Sequence, residues 1–204
     1  MQVFFSIFFL TLSISFFYRN NYINYESALR FIFISLAIYS GIRFDYGSDY
    51  FPYLLMFERI NVGDDLGRAI ETGYVILNKL LPNFFVLAAI TSSLVSISYF
   101  KIFKNYIVSK YLPLALFILF FNTSCLIGQY SGIRNAIAVN LFMLSIPFII
   151  NRKIFHYFSI MLIATLFHKS AFLMLPVYFI VTPKFFNKNK IQPFFIGTIV
   201  YYLV

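Results

Sequence analysis

The chain has 204 residues, of which 61% are hydrophobic and 11% charged, with a mean hydropathy of +0.82. Soluble domains are about a quarter charged, so a water-soluble globule is excluded, and so is a disordered chain. A single cysteine, Cys125, excludes a disulfide scaffold, and that cysteine with only His156 and His168 gives no zinc-ligand spacing. The net charge of +9 is uneven: all seven acids (Glu26, Asp45, Asp49, Glu58, Asp64, Asp65, Glu71) precede residue 72. Cations that flank membrane spans account for the excess better than nucleic-acid binding does.

The fold class that remains is all-α, a polytopic transmembrane helical bundle with an external loop and interfacial helix as an insert. Every backbone group in lipid must be satisfied within its own span, and runs such as 142–150 lack the alternation of a β-barrel strand. A helix needs about 20 residues to cross the hydrocarbon layer. In chain order the expected spans are 2–18, 29–42, 83–100, 112–127, 133–150, 154–167, 170–182 and a partial 191–204, all in one membrane domain. The first has no basic leader or small-residue cleavage site, so it reads as a retained span. The last is only fourteen residues long and has no charged end, so the sequence reads as incomplete at its carboxy terminus.

Between the second and third spans lies a polar insert, 43–72, with six of the seven acids. Within it, Ser48 or Asp49 can cap a helix over about 50–60 whose first turn accepts Pro52. That helix is apolar and aromatic with a charged end, as expected of a segment lying along the membrane surface. Lys and Arg in short connections set orientation. Arg19, Lys101, Lys104, Lys110, Arg152, Lys153, Lys184, Lys188 and Lys190 mark the cytoplasmic side; the insert, Arg134 and His168-Lys169 then face outward. The 28 residues of 154–181, between Arg152-Lys153 and the cluster that starts at Lys184, must leave and return. Two short re-entrant halves meeting at His168 satisfy this; one long tilted helix is the rival.

Several polar residues exceed what packing asks for. The cluster Arg43-x-Asp45-x-x-x-Asp49, with Tyr50 and Tyr53 close by, suits saccharide handling: rings stack on sugars and carboxylates bind hydroxyls. Glu71 opens the next apolar stretch, where the helix macrodipole favours a carboxylate; it is equally a candidate base or sugar-hydroxyl acceptor. Arg134 opens an otherwise uncharged span with no acid within fifty residues of sequence. It either snorkels or offers an unpaired guanidinium to phosphate oxygens. Gly128-x-x-x-Gly132, just before it, has the spacing of a helix-packing contact. His168-Lys169-Ser170 interrupts an apolar stretch, where ionisable groups usually mark function. Arg43, Arg134, His168 and Lys169 thus form a cationic set, and Asp45, Asp49 and Glu71 an anionic one. A cation-rich pocket in a membrane wall suits a lipid-linked diphosphate, and nearby carboxylates suit deprotonation of an acceptor hydroxyl. No nucleotide-binding glycine loop is present.

At these residues the sequence resembles the EpsG-like, Wzy-type O-antigen and exopolysaccharide polymerases. Arg43 followed by Gly47-Ser48-Asp49-Tyr50 and Tyr53 is similar to the family's Arg, Gly-Thr-Asp-Tyr and Tyr. Glu71-Thr72-Gly73-Tyr74, Ile133-Arg134-Asn135-Ala136-Ile137-Ala138 and Ala164–Ala171 around Phe167-His168-Lys169-Ser170 follow in order. The resemblance covers about residues 40–180. It implies an inner-membrane glycosyltransferase, metal- and cofactor-independent, that joins undecaprenyl-diphosphate-linked repeat units on the periplasmic face for O-antigen, capsule or exopolysaccharide. Its partners would be that lipid-linked oligosaccharide, membrane lipid and a chain-length regulator protein. Asp49, Glu71, Arg134 and His168 become the catalytic candidates, and Arg43, Asp45, Tyr53 and Lys169 the substrate-binding ones. A flippase of lipid-linked sugars, a membrane acyltransferase and an inert membrane subunit are the competing readings; no inverted repeat supports the first.

Overall fold

The computed structural model describes residues 2–42, 49–63, 70–122 and 125–181. Arg43, Asp45 and the expected partial span 191–204 lie outside these residues. The described residues form helices and connections, with no strand among them.

Helices α1 (Gln2–Arg19) and α2 (Tyr25–Gly41) open the chain. Asn24 caps α2, its side chain accepting the Ser27 N–H. Two helices then frame the insert, α3 (Tyr50–Val62) and α4 (Thr72–Leu80). Next comes α5 (Phe84–Tyr106), capped by Asn83. A single 3-10 turn, Ser109–Tyr111, leads into α6 (Leu112–Phe121). The short α7 (Ile127–Ser131) and the long α8 (Ile133–Ile150) follow, and α9 (Ile154–Thr165) turns back along α8. The chain then passes through a 3-10 segment, Lys169–Met174, to α10 (Val177–Ile180).

Two of these helices, α5 and α8, are long and apolar enough to cross a membrane. The two are packed differently: α8 has no exposed residue, while α5 has one open face. On α5 the buried face carries Thr91, Ser92, Ser96 and Ser98, while Phe85, Ile90 and Ile97 are exposed. Leu87, Val95 and Phe103 share that buried face, so large apolar side chains lie both inside and outside; this fits a solvent as apolar as the core, in which small polar residues serve helix contact.

The contacts fix how the helices run. Tyr25 at the start of α2 directs its hydroxyl to the Phe103 and Ile107 carbonyls at the end of α5 (3.1 and 3.0 Å), while Gly41 at the end of α2 meets Ala89 near the start of α5. The pair is therefore antiparallel. On its other side α5 meets α8, where a buried polar chain links them. Asn140 Nδ2 donates to Gln129 Oε1 (2.6 Å), Gln129 Nε2 to the Tyr99 hydroxyl (2.9 Å), and Tyr99 to the Cys125 carbonyl (2.9 Å).

Several sequence-based expectations change. The segment expected over 112–127 stops at Phe121, and α7 is a separate short helix. Gly132 separates α7 from α8, and a Cβ there would meet nothing nearer than 3.7 Å, so it is a chain break and not a close helix contact. The helix expected over about 50–60 forms as α3, which buries Tyr50, Tyr53, Phe57 and Ile60 against α4 and the start of α5 and leaves Phe51 and Leu55 exposed. Asp49 stands at its N-cap position, yet its side chain makes no capping hydrogen bond.

The stretch around His168 takes the two-part form. α9 ends at Thr165, His168 is extended (φ −155°, ψ 122°), and the return leg folds back on α9. Tyr157 donates its hydroxyl to the Met174 carbonyl, and its ring lies 5.5 Å from that of Tyr178. Arg152, at the opposite end of α9, sits 5.9 Å from the same Tyr178 ring, so the return leg reaches the end from which α9 set out. The reason is local. Phe167 and His168 both direct their N–H to the Ala164 carbonyl, which closes the helix, and Pro176 then starts α10.

Candidate functional site

Three stretches far apart in sequence meet at one end of the bundle: the N-terminus of α4, the N-terminus of α8 and the junction after α9. The joint that brings them together is Gly73. Its N–H donates to the Leu166 carbonyl (2.9 Å), and a Cβ on it would stand 2.7 Å from that oxygen and 2.8 Å from Leu166 Cβ. Only a residue without a side chain allows α4 to approach the end of α9 this closely.

Glu71, two residues before Gly73, is the N-cap of α4 but gives its own helix no side-chain cap. Its carboxylate turns instead to the other two stretches. Oε2 accepts from Arg134 Nη1 at 2.7 Å, while Oε1 accepts the Lys169 backbone N–H at 3.4 Å and lies 3.6 Å from His168 Nδ1. Glu71 is 8% exposed, so this charge is held by partners and not by water. Burial pushes its carboxyl pKa up. Its own backbone N–H, the Arg134 guanidinium and the Lys169 N–H outweigh that, and the pKa lies below the ordinary carboxylate value.

Arg134 is half-buried, and the Tyr53 ring of α3 stands 6.0 Å from its guanidinium carbon, at the limit of cation–π reach. Tyr53 in turn meets Tyr74 edge-on at 6.0 Å. The guanidinium is not fully satisfied, because Nε is buried with no acceptor among the described residues. Asn135 Oδ1 and Ser170 Oγ, each one residue along the chain from a site residue, are buried in the same condition. Buried polar atoms left open in this way call for a partner that the described residues do not supply.

Most sequence candidates therefore fall in one place, with changed roles. Arg134 is not the unpaired guanidinium that the sequence suggested: its acid, Glu71, comes from 63 residues away. Glu71, a candidate base by sequence, has Oε2 paired with Arg134 and Oε1 facing the Lys169 N–H and His168. Lys169 enters through its backbone N–H, and its side chain is exposed. Asp49 begins the helix that carries Tyr53, and its carbonyl accepts the Tyr53 N–H (3.0 Å). The role of Gly73 emerges only here, although a glycine two residues after an acid at a helix start signals close backbone approach. Gln129 and Asn140 are further residues outside the sequence candidates; their amides in apolar stretches are the signal that could have found them.

At the far end of the bundle, Glu26 holds Arg30 (2.5 Å) and Lys104 (2.9 Å) in an exposed cluster. The length of α5 separates this cluster from the site: Phe84 at its start packs on Tyr50 and Phe57 of α3, and Lys104 lies in its last turn. A helix of 23 residues is about 35 Å long.

No curated protein and no solved structure matches this chain. The profile of the EpsG family matches residues 26–204, which include every motif described above. With its exposed apolar helices and its ionic site, the chain is an integral-membrane member of the EpsG family.

Proposed function

We propose that the chain is a polysaccharide polymerase. In this reading it transfers a glycan from undecaprenyl diphosphate to the hydroxyl of an incoming lipid-linked repeat unit, on the external face of the bacterial inner membrane. The observation that carries it is the convergence of Glu71, Arg134 and His168, with Arg134 Nε buried and unmet among the described residues. Family membership points to the same class of activity.

Arg134, with Arg43 and Lys169, receives the donor diphosphate and takes up the charge that grows on it as the glycosidic bond breaks. Tyr53 offers a ring face to the sugar, and Asp45 and Asp49 bind acceptor hydroxyls. Glu71 pairs with Arg134 and faces His168, and in this reading the proton of the attacking hydroxyl goes to another group. A chain-length regulator remains the expected protein partner.

Isolated membranes supplied with lipid-linked repeat units separate the competing activities. The polymerase reading expects longer glycans without net flipping of the lipid. Flipping without elongation would establish the transporter, and transfer of labelled acyl groups the acyltransferase. In cells, Arg134→Ala and His168→Ala should abolish long-chain polysaccharide and Asp49→Asn should reduce it. Unchanged chains in all three would reject the site.

A further inference from the structure

His168 Nδ1 is buried and has no hydrogen-bond partner among the described residues; the nearest charged atom is Glu71 Oε1 at 3.6 Å. An unprotonated Nδ1 would set its lone pair against a carboxylate in a buried place. A protonated Nδ1 points a donor at that same oxygen. The second arrangement is strongly preferred, because a hydrogen bond to a charged group is worth about tenfold or more in population. The distance is slightly beyond bonding length, as such contacts often are in an empty site. Neither group can drift far. Glu71 is held by Arg134 and by the Gly73–Leu166 joint, and the His168 backbone is held by the Ala164 carbonyl (3.0 Å). His168 Nε2, by contrast, is neither buried nor bonded among the described residues.

We infer that Glu71 is a positioning residue. It fixes the His168 imidazole in the Nδ1–H tautomer and leaves Nε2 as the proton acceptor for the attacking hydroxyl. This rests on the polymerase reading for its substrate and deepens that reading. The acceptor oxygen forms its bond to the donor's anomeric carbon. The bond from that carbon to the diphosphate oxygen breaks, and its electron pair stays on the leaving diphosphate beside Arg134. The hydroxyl proton moves to His168 Nε2 and is then released to water or to the departing diphosphate. Through Oε2 the same carboxylate aims Arg134, so one buried acid sets the angle of both groups.

Nitrogen-15 NMR of histidine-labelled protein in lipid nanodiscs tests the inference without substrate. The chain has two histidines. His156 stacks on Phe148 (5.2 Å) near the opposite end of α9, so His156→Gln leaves His168 as the only signal. The expected spectrum of the neutral ring shows the Nδ1–H form in about tenfold excess. An Nε2–H form, or an even mixture, overturns the inference in the otherwise unmodified protein whether or not further variants fold. Glu71→Ala should abolish the excess, and its persistence would show that Glu71 is not the acceptor.

In the elongation assay His168→Gln should lose about a hundredfold or more of turnover. An equal loss with Asp49→Asn gives the base role to Asp49 and overturns that part. Absence of elongation by the unmodified chain, with the Nδ1–H excess intact, would sink the polymerase reading and the transfer step with it. Glu71 would still stand as the residue that sets the imidazole.

Discussion

At the residue scale the decisive fact is that one carboxylate, Glu71, meets an arginine and a histidine from distant segments. Arg134→Ala would strand that buried charge. A fully buried pair broken this way costs about 3–5 kcal/mol, and the partial exposure of Arg134 brings the expected loss to about 2–3 kcal/mol, readable as a lower melting temperature in detergent. Arg134→Lys should restore part of the stability but little elongation, since an ammonium cannot reproduce the planar fork. Because the Glu71 pKa is lowered in the folded protein, its contribution is complete above the ordinary carboxylate pKa of about 4.3 and is lost as the pH falls through the depressed value. The stability gap between the natural chain and Glu71→Gln should therefore be flat at neutral pH and close only in acid, as denaturation series at several pH values would show. A gap that closes near neutrality would mean the carboxylate is not held by cations.

Among elements, the placement of α4 against the end of α9 depends on Gly73. Gly73→Ala puts a methyl 2.7 Å from the Leu166 carbonyl, which must push the two segments apart. An overpacking cost of about 1–3 kcal/mol is expected, together with a loss of elongation out of proportion to the loss of fold. Thr72→Ala, exposed one residue earlier, should do neither. The α5–α7–α8 contact depends on the chain from Asn140 through Gln129 to Tyr99. Hydrogen bonds between membrane helices average about 0.6 kcal/mol and reach about 1.7, so Asn140→Leu should cost no more than that. Its larger effect should fall on activity, because α8 carries Arg134 at its start and the network fixes how that helix sits.

For the whole molecule, the length of α5 separates two ionic groups: Glu71 with Arg134 and His168 at one end, Glu26 with Arg30 and Lys104 at the other. The proposed orientation puts the first outside and the second in the cytoplasm. In a Cys125→Ser background, an impermeant thiol reagent should label Lys169→Cys in intact cells and Lys104→Cys only after the membrane is opened. Labelling of both from outside would contradict the orientation. Phe9, Phe16, Phe31, Leu55 and Phe155 are exposed on several helices, as an apolar solvent would permit.

Composition alone pointed to the helical class that the described residues show, because a chain with so few charges is poorly suited to water and lipid demands closed backbone hydrogen bonds. Local chemistry also carried far. The uninterrupted apolar run gave α8 its bounds, Asn83 marked the start of α5, and the break at His168 was legible as polar residues within an apolar stretch. The short motifs named the residues of the site but not their relations. Arg134 looked unpaired because pairing was sought along the chain, whereas ion pairs form in space. Nothing in the sequence neighbourhood of Glu71 shows that Arg134 and His168 would meet it. Distances of 63 and 98 residues along the chain, from Glu71 to Arg134 and to Lys169, were closed by the packing of α4 on the α9 junction. Only the tertiary structure could decide that, because it depends on which backbones approach closely enough to touch.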